Sequence, residues 1–312
     1  MFELDHRCLE RLTASNAFEL GDAACALFGL RGCLPVEEQD LTPLPKETFE
    51  PGALDWFRPR CALGIWDRTN GLLAATAGST VPNRNAIEGS LRAWRERRLE
   101  SANQLVPSLV AFTKGPHMIS QPEKSFPAFR QHGEFALQRT RDDLDYDVED
   151  EIIVEVVGDN LHAAFVESSK APTQQGIGSN GCQVVIGFAK RKGGTGEDRG
   201  IWPRYRDMAY ASGQEEFPYF LLDSTDAQRA ALAAEGTIPL RLRYGSSGSI
   251  VNKVQACLKR LGVLGDNEES VFGKHTLLAV VGFQKDRGLM ADGVVGPNTA
   301  QALGIAEDWP RF

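Results

Sequence analysis

Apolar positions along the first 34 residues fall near a helical period: Leu9 and Leu12, then Ala23, Leu27 and Leu30, with Gly32 placed to stop a helix. Prolines 35, 43, 45 and 51 then predict an extended connector. From Cys61 to about Gly187 the texture changes to short apolar runs divided by turn residues. The run CALGIWDRTNGLLAATAG brackets Asn70-Gly71, the strongest short hairpin signal. Further strands are predicted at 109–112, 135–138, 152–157 and 182–188, with a helix over 88–105 where good helix formers dominate. Beyond Phe220, a helix-forming stretch at 225–235 leads to a joint at Gly236-Thr237-Ile238-Pro239. Val251, Val254, Leu258 and Leu261 then mark one helical face, a second helix fits 276–284, and a third starts at Pro297.

This pattern predicts a multidomain protein. Residues 1–50 form an N-terminal helical segment and Pro-rich connector, and 51–225 a mainly-β (α+β) domain. Residues 226–239 are a linker, 240–305 a small three-helix bundle, and 306–312 a tail. A bundle of that size is near the lower limit for an independent core.

Charge divides the chain along the same lines. The whole carries −8, which argues against general nucleic-acid binding. Residues 240–304 hold eight basic and five acidic residues, so a basic module rides on an acidic protein and an anionic ligand is expected for it. No segment approaches the roughly 18 consecutive apolar residues of a membrane span. The N-terminus has acids and an amphipathic pattern where a signal peptide needs a basic start and an apolar run. The expectation is synthesis in the cytoplasm without a signal peptide. The six cysteines lack metal-ribbon spacing and read mostly as buried free thiols.

The C-terminal unit resembles the type 1 peptidoglycan-binding domain. The resemblance is carried by Gly245-x-x-Gly248, Gln255, Leu258, Leu261-Gly262, Val271-Phe272-Gly273-x-x-Thr276, Phe283-Gln284, Gly288-Leu289, Asp292-Gly293-Val294-Val295-Gly296-Pro297 and Thr299. It implies a three-helix module that holds an enzyme against cell-wall polymer.

One cysteine stands apart. Cys182 follows GIGSNG, a backbone too loose for a residue that only fills a core, and leads directly into an apolar run. A cysteine nucleophile needs a base or positive partner and donors for the oxyanion it creates. Of the five histidines, His6 lies in the N-terminal helix and His275 in the C-terminal unit, while His162 follows a predicted strand with 16 residues between it and Ser179.

That arrangement, His162 … Ser179-Asn180-Gly181-Cys182, resembles the L,D-transpeptidase (YkuD-like) family in a divergent Ser-x-Gly-Cys-Gln form. The resemblance implies Cys182 as nucleophile and His162 as its base, with the Ala163 carbonyl orienting the imidazole. Backbone N–H groups around Asn180, Gly181 and Cys182 would form the oxyanion hole. Asn180 stands where most members have His, and Val184 where they have Arg or Asn. Gln183, Arg139 or Arg141 is then expected to hold the substrate, with Trp202 and Tyr205 filling the aromatic places of the variant. The implied substrates are peptidoglycan stem peptides, acted on in the periplasm or cell wall by transpeptidation or hydrolysis. No cofactor, metal, nucleic acid or membrane is expected. A cytoplasmically made wall enzyme suits an antibacterial effector or phage lysin, with delivery machinery or an immunity protein as further partners. The alternative is a non-catalytic wall-binding protein whose transpeptidase-like domain is degenerate.

Other features read more plainly. The run DDLDYDVEDE holds seven acids in ten positions without the glycine of an EF-hand, and reads as a solvated loop. His117 and His132 make a zinc site conceivable with Asp142 or Asp143, or a contact to substrate from a facing strand, but surface placement is the expectation. Gly78 to Asn83 suggests a tight turn, and KRKGGTGEDRG an exposed hairpin rather than a phosphate loop.

Overall fold

The Asn70-Gly71 signal is where sequence and fold agree most directly. The computed structural model describes residues 1–98, 102–173, 176–265, 270–307 and 309–312. In it, β5 (Cys61–Asp67) and β6 (Leu72–Ser79) pair antiparallel from Cys61↔Gly78 to Asp67↔Leu72. Asp67 accepts from the backbone and side-chain nitrogens of Asn70 at 3.0 and 2.8 Å, and Gly71 takes a φ of +68°, which glycine adopts without strain.

This hairpin is part of a closed eight-stranded barrel. The other strands, in chain order, are β1 (Phe2–Asp5), β2 (Cys25–Arg31), β3 (Cys33–Pro35), β4 (Lys46–Pro51), β7 (Gln104–Leu105), β8 (Ser108–His117), β9 (Phe126–His132), β10 (Phe135–Arg139), β11 (Glu151–Glu155), β12 (Leu161–Ala163), β13 (Gln183–Val185) and β14 (Glu216–Asp223). The helices are α1 (His6–Ala14), α2 (Arg84–Arg95), α3 (Ile201–Tyr210), α4 (Ser224–Leu232), α5 (Ser249–Arg260), α6 (Lys274–Asp286) and α7 (Pro297–Ala302). The barrel order is β12-β13-β6-β5-β2-β14-β8-β9, closed by Leu161↔Phe129 between β12 and β9. Two small sheets, β1-β4-β3 and β11-β10-β7, lie outside it. The architecture is therefore mixed α and β, with a barrel and a separate helical unit.

Residues 23–30 correct the helical reading. They enter β2, all of whose residues are buried. Period-two alternation divides the strand between two cores: Cys25 and Leu27 face the barrel interior, while Ala26, Phe28 and Leu30 join a cluster with α1 and α4 residues. A strand buried on both faces reads as an unbroken apolar run, which periodicity does not separate from a helix. β5 and β14 are divided in the same way.

Other boundaries move for similar reasons. The helix expected over 88–105 is α2, capped by Asn83 Oδ1 accepting from Asn85 N at 2.8 Å; Gln104–Leu105 is a strand, and 99–101 lie outside the described residues. The expected strand at 152–157 is β11, in a different sheet from His162, which has its own strand β12 beyond a turn at Gly158. Residues 1–50 are not a separate segment, since they contribute β2 to the barrel.

Nor is 226–239 a free linker. It begins inside α4, where Asp226 gathers Arg241 at 3.3 Å and the buried Arg243 at 3.1 Å. Past it, Leu109 N donates to Tyr244 O at 3.0 Å, and Ser246 Oγ donates to Asn16 O at 2.6 Å. Val106, just after β7, and Ala136 and Val154 of the β11-β10-β7 sheet share a core with Leu240, Val254, Phe272 and Phe283. The tail returns: Ile238 and Phe312 exchange backbone hydrogen bonds at 3.0 and 2.8 Å, and Trp309 Nε1 donates to Leu240 O at 2.9 Å.

Gly64 shows how tightly the wall is built. A methyl group there would lie 2.0 Å from Phe28 Cζ of the adjacent strand. Gly64→Ala is expected to cost about 1–3 kcal/mol by overpacking, seen as a lowered denaturant midpoint with an unchanged m-value.

Candidate active site

Parallel pairing of β12 with β13 sets His162 beside Val184, so Cys182, two residues before it, lies at the mouth of the same strand pair. A ring nitrogen of His162, a ring nitrogen of His117 and Cys182 Sγ all lie within 4.8 Å of one another. His162 Nδ1 is 2.8 Å from the Ala163 carbonyl oxygen, which can only accept, so Nδ1 carries the proton and Nε2 keeps its lone pair. That is the tautomer a base needs.

The loop before Cys182 is braced from several sides. Ser179 O accepts from Asn83 N at 2.9 Å, and Asn180 O accepts from Asn103 N at 2.9 Å. Ser179 Oγ donates to Cys182 O at 2.7 Å and accepts from Gly181 N at 3.2 Å. Gly181 is needed for space, because a Cβ there would sit 2.5 Å from Asp159 Oδ2. The N–H of Asn180 donates to nothing among the described residues, that of Gly181 is already used, and that of Cys182 faces its own sulfur. Asn160 N donates to Cys182 Sγ at 3.3 Å.

His117, His162, Asn180 and Cys182 line a cleft of about 630 Å³ that also includes Asn103, Met118, Arg139, Glu155, Val157 and Asp159. Arg139 Nε donates to Asn103 Oδ1 at 2.9 Å, and the terminal nitrogens of its guanidinium meet no partner among the described residues. Asp159 is buried, with Oδ2 unpartnered, and burial raises its carboxyl to about 7 against the pull of Asn103 and Arg139.

The electrostatics describe a neutral resting pair. Burial lowers His162 to about 3, helped by neighbouring His117, while the bond to Ala163 opposes the shift. Burial, and then the Asp159 carboxylate, push the Cys182 thiol up. At neutral pH the site thus holds a thiol and an uncharged imidazole.

Several residues singled out by sequence lie elsewhere. Trp202 and Tyr205 are fully buried on α3, with Tyr205 OH donating to Gly64 O at 3.0 Å, so they build the core and do not touch a ligand. Gln183 is buried between Gly181 O and Tyr219 OH. Arg141 stacks 4.0 Å over the Trp94 ring and pairs with Glu151 at 2.7 Å, outside the cleft. Ser179 is a buried brace, and of the expected substrate-holding residues Arg139 lines the cleft.

His117 corrects the surface expectation. It ends β8, and its ring stacks on His162 with centroids 4.2 Å apart, while His132 is exposed and faces Glu216. Asp159 and Asn160, the two polar residues before Leu161-His162, are site residues that no sequence motif above marks. Their signal in the sequence is a polar pair directly preceding the candidate base.

Two nitrogens and a sulfur at this spacing are also ligands zinc favours. The hydrogen bonds around His117 oppose it. Gln131 N donates to Asn160 Oδ1 at 2.9 Å, which fixes the amide, so Asn160 Nδ2 donates to His117 Nδ1 at 2.8 Å. The neutral ring then carries its proton on Nε2, the remaining position a metal would take.

In the C-terminal unit, polar residues of the motif are spent on the fold. Gln255 Nε2 donates to Val271 O at 2.8 Å and Thr276 Oγ1 at 3.0 Å. Gln284 Nε2 donates to Asp292 Oδ1 and Val294 O, both at 3.0 Å, while its Oε1 accepts from Gly293 N at 2.9 Å.

Among known proteins, residues 247–303 match the family described as "Putative peptidoglycan binding domain". The chain is similar to a Bacillus licheniformis protein named "Probable N-acetylmuramoyl-L-alanine amidase", 41% identical over 68 residues, 21% of this chain and 19% of that protein. It thus spans about a fifth of that relative's length. No solved structure matches. The barrel and its cleft lie outside the family match.

The buried imidazole makes stability pH-dependent. Between its ordinary 6.5 and about 3, the unfolded chain binds a proton that folded His162 does not, so stability falls as pH falls through that window. Asp159, raised from 3.8 to about 7, works oppositely: the folded chain holds the extra proton, and stability is lost as pH rises toward 7. From pH 6.5 to 4.5, urea unfolding is expected to show His162→Gln losing about 2 kcal/mol less than the wild type. Asp159→Asn is expected to lose more than the wild type.

Proposed function

We propose that this chain is a cysteine acyltransferase of the L,D-transpeptidase type that acts on peptidoglycan stem peptides. The observation that carries the reading is His162 with Nδ1–H committed to Ala163 O and a ring nitrogen within 4.8 Å of Cys182 Sγ, in an open cleft. Two support it from outside the site: the C-terminal match to a peptidoglycan binding family, and similarity to a protein whose name denotes an amidase of N-acetylmuramoyl-L-alanine.

The geometry supports the following chemistry. His162 Nε2 takes the thiol proton as Cys182 Sγ attacks the carbonyl carbon of an amide between an L-configured centre and a D-amino acid. The negative oxygen meets the N–H groups of Asn180 and Cys182, while the N–H of Asn160 steadies the sulfur. Collapse breaks the C–N bond, the proton passes from His162 to the leaving amine, and a thioester remains. An amine or water then attacks the thioester, giving its proton to His162, and the thiol leaves reprotonated. Arg139, with a guanidinium end that has no protein partner among the described residues, binds the substrate carboxylate. The docked C-terminal unit raises the local concentration of wall polymer.

The buried sulfur, with its raised thiol, favours a second reading in which the cleft only recognises wall peptides. Incubation with purified muropeptides separates the two. Cys182→Ala is expected to lose at least 10³-fold in turnover while still sedimenting with cell-wall sacculi. A carbapenem adduct is expected at Cys182 and at none of the other five cysteines. Turnover unchanged by Cys182→Ala overturns Cys182 as nucleophile, and a wild type with neither turnover nor an adduct at Cys182 favours recognition alone.

A further inference from the structure

We propose that His117 is a catalytic hydrogen-bond donor of the cleft, presenting a fixed Nε2–H to the substrate carbonyl oxygen as the tetrahedral centre forms. This deepens the enzyme reading given above and rests on it.

The argument begins with a chain of donors. The backbone N–H of Gln131 can only donate, so Asn160 Oδ1, 2.9 Å away, must be the amide oxygen. Asn160 Nδ2 therefore faces His117 Nδ1 at 2.8 Å as a donor, and Nδ1 accepts. A neutral imidazole accepting at Nδ1 has its proton on Nε2, and that N–H meets no partner among the described residues. His117 and His162 thus have opposite tautomers, one held by Asn160 and the other by Ala163 O.

Placement gives the donor its use. His117 lines the cleft and has a ring nitrogen within 4.8 Å of Sγ. Asn160 aligns the two, because its side chain holds His117 while its backbone N–H donates to Cys182 Sγ at 3.3 Å. Stacking on His162 at 4.2 Å and contact with the Phe126 ring at 5.2 Å fix the plane of the imidazole. Burial and Arg191 lower His117 to about 4, so it remains an uncharged donor at neutral pH. That matters beside His162: an imidazolium at 117 would repel the positive charge that His162 acquires from the thiol, whereas a neutral N–H does not.

Two measurements test the assignment. Long-range ¹H–¹⁵N spectra at pH 7 are expected to show His117 protonated on Nε2 and His162 on Nδ1. Asn160→Asp, which can only accept, is expected to switch His117 to the Nδ1–H form. An Nδ1–H tautomer for wild-type His117, or zinc retained stoichiometrically by the purified protein, overturns the proposal. In single-turnover acylation by a carbapenem, His117→Phe and Asn160→Asp are each expected to slow adduct formation about a hundredfold. His117→Gln, which restores a side-chain N–H, is expected to recover part of the loss, and its melting temperature reports whether the site still folds. Wild-type acylation rates in both His117→Phe and Asn160→Asp overturn the role of His117 and leave Cys182 as nucleophile. A wild-type protein that is never acylated overturns the enzyme reading itself, and with it this role.

Discussion

The site depends on one short parallel pairing, β12 against β13. Three residue pairs, Leu161↔Gln183, His162↔Val184 and Ala163↔Val185, place the histidine and the segment carrying the cysteine side by side. Side chains alternate along a strand, so a slip of one residue would turn His162 to the other face. The register is secured on both flanks: β13 pairs with β6, and β12 closes the barrel against β9. The barrel is thus the frame that fixes an imidazole near a sulfur.

That frame charges the site electrostatically. Closing His162, His117, Asp159 and Cys182 into one pocket removes water from four titratable groups, and each responds by favouring its neutral form. What remains is a set of uncharged groups whose hydrogen bonds are specified one by one. Ala163 O chooses the tautomer of His162, and Asn160, itself fixed by Gln131, chooses that of His117. In such surroundings direction replaces charge as the organising quantity.

The C-terminal unit is fastened to this frame. Its entry segment bonds to residues near 15–17 and to Leu109, its core takes in Val106, Ala136 and Val154, and Lys274 Nζ reaches Val154 O at 3.0 Å. Arg241 and Arg243 converge on Asp226 of α4, a charge cluster in which the buried Arg243 is partnered at 3.1 Å. A small helical bundle has little core of its own, so sharing one with a three-stranded sheet adds buried apolar area to both.

By itself the sequence determined what depends on neighbours along the chain. The Asn70-Gly71 hairpin, the face of α5 and the proline start of α7 all follow from local turn chemistry and periodicity. It also brought His162 and Cys182 together through a motif spacing. Only the tertiary structure decided the rest. β2, buried on two sides, loses the alternation that marks a strand, and Trp202 and Tyr205 carry no local mark to separate a core aromatic from one that binds a ligand. His117, Arg139 and the Asp159-Asn160 pair come from β8, β10 and the segment before β12, which lie far apart in the chain and meet only in the fold. Local signals fix conformation because they act through bonds and adjacent atoms; a cleft is made by long-range register, which no stretch of the chain encodes alone.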